Sequence, residues 1–128
     1  MLGYISKIEN IMPIVDACIM PSFIEGWSIA MNEAMFYGKP LIMTDTGGAS
    51  EVIENNDIGI LIPNEYGASD LLDRTTLDKL AYKPHHYKIS SMVADAMIAF
   101  ADNHEYWKKA GEKGRRKRPE KDLSPLCI

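Results

Sequence analysis

Cysteine is nearly absent from this chain of 128 residues, where only Cys18 and Cys127 occur. One falls in an apolar run and the other in the C-terminal tail. A disulfide framework is therefore disfavoured, and a reducing cytoplasm is the expected setting. Long apolar runs are missing as well. Ala17–Met20, Pro40–Met43 and Ile58–Ile62 are all far shorter than the ~20 residues that cross a bilayer. The opening residues lack the charged, apolar and small-residue succession of a secretion signal, so nothing argues for export. There is no internal repeat and no low-complexity tract. Positive charge is scarce up to Asp102, where 6 basic and 14 acidic residues give −8. From Asn103 onward 8 basic and 4 acidic residues give +4, for a total of −4. Such an acidic body disfavours nucleic-acid binding, which needs clustered Lys and Arg against phosphate.

What is present is an alternation of short apolar runs and helical periods. Ile8, Ile11, Met12 and Val15 have helical spacing within residues 4–16, and Ser6 with Glu9 forms a capping-box pattern. Pro13 would break the middle of that helix, so a start at Asn10 is preferred. Ala17–Met20, closed by Pro21, reads as a strand buried on both faces. Ser28 is a good N-cap for a helix over Ile29–Tyr37, with Gly38 at its C′ position. Pro40–Met43 is a second buried strand, 44–48 a turn, Ala49–Asn55 a short helix, and Gly59–Pro63 a third strand. This alternation predicts an α/β fold, a Rossmann-like doubly wound parallel sheet that is only partial, with a sheet core over about 4–63. Residues 64–89 read as an irregular excursion with a turn of helix near Leu71 or Leu77. Closing helices span 90–118. Met92, Val93, Ala96, Met97 and Phe100 line the first, and Tyr106, Trp107 and Ala110 face inward on the second, which Asn103 caps. The whole, 1–128, reads as one truncated domain, ending in a basic tail over 115–128.

Ligands of doubly wound sheets bind beyond the carboxyl ends of the strands, where helix N-termini favour phosphate. Two segments fall on that edge, Ser22–Ser28 and Thr44–Gly48. Gly26 allows close backbone approach, and the amides of Ser28 to Met31 would face an anion. Glu25 in the loop and Glu33 in the helix flank that tip. Carboxylates accept paired hydroxyl hydrogen bonds strongly, so the layout suits a ligand with hydroxyls on both sides of its phosphates. A sugar nucleotide is such a ligand. No Gly-x-Gly-x-x-Gly follows a strand with an acid about 20 residues on, which argues against a nicotinamide-dependent oxidoreductase. A binding module without catalysis is the other alternative.

The ordered series Asp16–Ser22, Glu25-Gly26-Trp27-Ser28, Glu33-Ala34-Met35, Gly38-Lys39-Pro40 and Asp45–Glu51 resembles the C-terminal, donor-binding domain of GT-B retaining glycosyltransferases of the group 1, family 4 type. The match covers residues 4–63, and Glu25 and Glu33 reproduce that family's E-x7-E spacing. The resemblance implies that Glu25 is catalytic and contacts the donor sugar. It implies that the backbone of Gly26, Trp27, Ser28 and Ile29 holds the sugar and diphosphate, and that Glu33 binds the ribose. Thr46, Gly47 and Gly48 would form a turn at the site's edge. The donor would be a UDP- or GDP-linked sugar acting as substrate, with no cofactor and no metal. The acceptor, a saccharide or lipid-linked saccharide, would be held by an N-terminal domain lying upstream of Met1. Ser28 departs from the family, which often has glycine there, and the basic residues that steady the diphosphate have no counterpart here. A fragment of this size is expected to be inactive alone.

Other features carry blander readings. His85 and His86 lack partners at metal-ligand spacing and read as a solvated pair. The eight methionines read as core filler, and Glu51 as a complement to its helix dipole. Trp27 could plug its loop against the core. Arg115–Arg118 reads as a solvated helix end. Peripheral contact with the inner face of the cell membrane is the alternative for that basic tail.

Overall fold

The structure is a computed structural model that describes residues 5–67, 74–81 and 87–117. Three strands, β1 (Cys18–Met20), β2 (Leu41–Thr44) and β3 (Gly59–Ile62), form a parallel sheet in the order β1-β2-β3. The register pairs Ile19 with Ile42 and Ile42 with Ile60. Helices α1 (Ile29–Phe36) and α2 (Ala49–Val52) are the crossovers. Helices α3 (Arg74–Ala81), α4 (Lys88–Asp102) and α5 (His104–Lys117) follow.

The central strand β2 is buried throughout, and its side chains alternate between two cores. Leu41 and Met43 join Met31, Ala34, Met35, Ala49, Val52 and Ile53 under α1 and α2. Ile42 faces the other way, with Ile62, Ile89, Ala96, Phe100, Trp107 and Ala110 under α4 and α5. Each fully buried side chain of this size stabilises the fold by about 1.5–3 kcal/mol. The fold is thus α/β, with a partial Rossmann-like sheet covered on both faces.

Helix α1 begins and ends where its sequence dictates. Ser28 is its N-cap, and the Ser28 hydroxyl accepts the Met31 amide at 3.3 Å. At the other end Gly38 has φ +65, and the amides of Gly38 and Lys39 donate to Met35 O (3.0 Å) and Ala34 O (2.8 Å). That reciprocal pair of bonds closes the last turn and needs a residue that tolerates left-handed backbone. Helix α5 then crosses close to this turn. A β-carbon on Gly111 would stand 2.1 Å from Gly38 O.

The structure corrects several expectations. The helix expected within residues 4–16 is not an α-helix over the described part, 5–16. Two 3-10 turns, Ile8–Asn10 and Met12–Ile14, stand there instead, and Lys7 rather than Ser6 caps the first, without a side-chain bond. Pro13 occupies the first turn of the second, where its missing N–H is harmless. Strand β1 is not buried on both faces but lies at the sheet's edge among the described residues, with Ile19 exposed. Helix α2 stops at Val52, where Ile53 (φ −95°, ψ 82°) leaves helical backbone, and the positive φ of Asn55 and Asn56 (51° and 55°) then turns the chain toward β3. On α4 and α5, Met92, Met97 and Tyr106 face outward, and Ile89 and Gly111 take inward positions. Methionine is therefore only partly core filler. Asn103 ends α4, and its carbonyl accepts the Trp107 amide. The excursion contains the helix α3, which includes Leu77. Leu71, His85, His86, Arg118 and Cys127 lie outside the described residues. No helix among the described residues is long and apolar enough to cross a membrane.

Candidate functional site

The strands' carboxyl ends open onto one edge, where three segments meet: residues 21–28 after β1, 45–48 after β2 and 63–67 after β3. Hydroxyls from the last residue of β2 and from the second segment hold the first. Thr44 Oγ1 donates to Ser22 O. Thr46 Oγ1 accepts the Glu25 amide at 3.1 Å and donates to Phe23 O at 3.4 Å. The third segment adds Asn64 Nδ2, which donates to the same Phe23 O at 2.9 Å. The Phe23 ring meets Tyr66 edge-on at 5.0 Å and Tyr87 at 5.3 Å. Burial raises the Tyr66 phenol above its ordinary pKa, and the neighbouring Glu65 charge adds to the rise. Glu65 in turn accepts the Ile89 amide in the first turn of α4 at 3.2 Å.

Glycine permits the tight seam between the first two segments. Gly47 has φ +55, and a β-carbon there would lie 1.9 Å from Gly26 O. A β-carbon on Gly48 would lie 2.4 Å from the Trp27 ring, which lies across it half exposed rather than plugged into the core. Thr46, Gly47 and Gly48 therefore brace the loop that carries Glu25.

Glu25 is half-buried, and its Oε1 accepts the Ser22 hydroxyl at 3.0 Å, so one oxygen is engaged within the loop. Gly26 is open, with nothing within 4 Å of a β-carbon position, and Ile29 is exposed. The Ser28 hydroxyl is buried by its capping role and by contact with Met20 Sδ at 3.6 Å. Because that hydroxyl takes the Met31 amide, the N–H groups at the helix tip without a partner among the described residues are those of Ser28, Ile29 and Ala30, not four in a row. Glu33 stands further along α1, half-buried, close enough to β1 for its charge to act on Cys18. Burial first, and that charge second, push the Cys18 thiol up. The structure therefore gathers Glu25, Gly26, Trp27, Ser28, Ile29 and the 46–48 turn at one edge, with Glu33 down the flank.

A cleft of about 370 Å³, lined by Asp45, Thr46, Gly47, Ser50, Pro63, Asn64 and Gly67, opens beside this seam. Ser50, Pro63 and Asn64 escaped the sequence reading. Their place directly after a buried strand or at the start of a helix is the signal that could have found them. No group of three or more potential metal ligands occurs among the described residues.

At the opposite end of the sheet, Asp57 Oδ2 accepts Lys117 Nζ at 2.7 Å and Lys113 Nζ at 3.0 Å, and Lys117 also reaches Glu54 at 3.5 Å. Burial would raise the Asp57 carboxyl, but the bonds and charges of Lys117 and Lys113 outweigh it and hold the pKa down. Lys117 is held above its ordinary value, chiefly by its bond to Asp57. Arg115 pairs with Glu112 at 3.4 Å. Part of the basic cluster thus serves the fold.

Two comparisons bear on this site. A 96-residue stretch is 28% identical to a protein of Vicia faba named "Probable sucrose-phosphate synthase", covering 75% of this chain and 7% of that relative's length. The chain thus spans only a small part of the relative it matches. The family described as "Glycosyl transferases group 1" matches residues 1–80, well over half of the chain and all of the sheet edge described above. The chain belongs to the group 1 glycosyltransferases.

Proposed function

We propose that this chain is the donor-binding part of an enzyme that moves a sugar from a UDP- or GDP-linked donor to an acceptor hydroxyl, with retention of configuration. The observation that carries this reading is the tip of α1. Its free amides at Ile29 and Ala30 follow an open Gly26 and a half-buried Glu25, at the carboxyl edge of a parallel sheet. The diphosphate sits against those amides and the positive end of the helix. Glu25 offers the carboxylate oxygen that Ser22 leaves free to hydroxyls of the sugar, and Glu33 takes the ribose. In the transfer, the bond from the anomeric carbon to the diphosphate breaks and a bond to the acceptor oxygen forms, while the acceptor's proton passes to the departing diphosphate. The amides stabilise the charge that develops on the leaving group, and no metal is called for. Similarity to a protein named for a sucrose-phosphate synthase supports sugar transfer as the chemistry.

The test is thermal protection. A UDP- or GDP-sugar at about 100 times its Kd should stabilise the chain by about 2.7 kcal/mol. Glu33→Ala should abolish that gain relative to its own ligand-free Tm. Protection by NADH with none by any nucleotide sugar would overturn the reading.

A further inference from the structure

We infer that the cleft between the 45–48 turn and the segment after β3 is a binding subsite for an uncharged saccharide. The cleft shares walls with the donor loop. Thr46 lines it and holds the Glu25 amide, Asn64 lines it and holds Phe23 O, and Gly47 lines it with its α-carbon packed on Gly26 O. A ligand in the cleft is therefore separated from one on the Gly26 side by a single turn of backbone.

Size and chemistry select the ligand. About 370 Å³ falls at the small end of the ≈ 300–1,000 Å³ range of small-molecule pockets. Asp45 and Ser50 stand exposed at its rim, without side-chain hydrogen bonds or ion pairs to the described residues. Asp45 is positioned from behind by its own amide, which donates to Ile62 O at 2.7 Å. Asn64 is spent on Phe23 O and on the Tyr66 amide, so it forms a fixed wall. Pro63 supplies an apolar surface. A free carboxylate beside a hydroxyl accepts hydrogen bonds from adjacent sugar hydroxyls, and among the described residues no Lys or Arg lines the cleft to attract phosphate. The negative Asp45 repels a phosphorylated ligand and accepts a neutral polyol.

Residue-resolved NMR of the labelled chain tests this, with glucose, mannose and galactose in one arm and UDP in the other. At least one monosaccharide should give saturable shifts at the amides of Gly47, Ser50, Asn64 and Gly67. Asp45→Asn should weaken its apparent Kd about tenfold, the size expected for a bond to a charged group, and Ser50→Ala should weaken it less. A cleft unmoved by all three sugars, shifts confined to Glu25–Ile29, or an unchanged Kd in Asp45→Asn would each overturn the subsite. UDP shifts at Gly26–Ile29 with a silent cleft would remove the subsite and leave the donor reading standing. Sugar shifts in the cleft without a UDP response would keep the saccharide site and overturn the donor reading.

Discussion

A β-carbon on Gly47 would stand 1.9 Å from Gly26 O, whereas a β-carbon on Gly26 would meet nothing within 4 Å. The two glycines face each other across one seam for opposite reasons. Gly47 is required by the packing and by its φ of +55, while Gly26 leaves room on the open side. Gly47→Ala should therefore destabilise the chain by about 2 kcal/mol or more, from strain and overpacking together. Gly26→Ala should stay within about 0.5 kcal/mol of wild type in urea unfolding. It should nonetheless weaken nucleotide-sugar binding, because the added methyl occupies the space the ligand uses. Equal destabilisation by both substitutions would contradict this division.

Thr46 is the hydrogen-bonding centre of the same seam, accepting from Glu25 N and donating to Phe23 O. Thr46→Val keeps the shape and removes both bonds. Loss of about 1–3 kcal/mol is expected, since buried polar groups lose their partners. The loop would loosen, so nucleotide protection should fall as well. Thr46→Ser, which keeps the hydroxyl, should restore most of that protection.

The Asp57–Lys113–Lys117 cluster ties the turn before β3 to the last turns of α5, and its pH dependence has a definite sign. A carboxyl whose pKa is lowered by folding stabilises the fold above its unfolded value of about 3.9, and that stability is lost as pH falls through the folded value. Lys117, raised by folding, contributes fully below about 10.5 and loses its contribution as pH rises through the folded value. Unfolding free energy measured across pH should thus fall in acid below about pH 5 for wild type. Asp57→Asn should be less stable at neutral pH and show a flatter acid limb. An acid limb identical to wild type would assign that limb to other carboxylates.

The two tryptophans report different regions. Trp27 is 49% exposed beside the helix tip, while Trp107 is buried, stacked on Phe100 at 4.2 Å, with its indole N–H donating to Ala99 O. In a Trp107→Phe background, emission from Trp27 alone should change on addition of a nucleotide sugar. Emission that stays constant while the ligand protects thermally would place the ligand away from Trp27.

Much of this architecture is legible residue by residue. Ser28 and Gly38 announce the two ends of α1 because capping and left-handed backbone are local requirements. The run Leu41–Met43 announces a strand covered on both sides. Periodicity does not say what covers a face, which is why Ile19, Met92, Met97 and Tyr106 look like core residues in the sequence and stand outside in the structure. The break at residues 8–14 depends on Pro13 and on packing that no helical period records. At the site, the loop residues from Glu25 to Ile29 and the 46–48 turn are readable from their place after strands. The rest depends on long-range contact: Ser22 on Glu25, Thr46 across 21 residues on Glu25 N, and the cleft walls of Ser50, Pro63 and Asn64. The basic run at the chain's end reads as a uniform charged patch, yet Lys117 is committed to Asp57.

The central claim is that a sugar nucleotide rests on the tip of α1, and backbone NMR during titration with UDP-glucose and with GDP-mannose tests it most directly. One of the two should give saturable shifts at the amides of Gly26, Trp27, Ser28, Ile29 and Ala30, and Glu33→Ala should weaken the response without moving the tip's ligand-free signals. Tip amides that stay still with both ligands, while the folded spectrum is otherwise intact, would contradict the account.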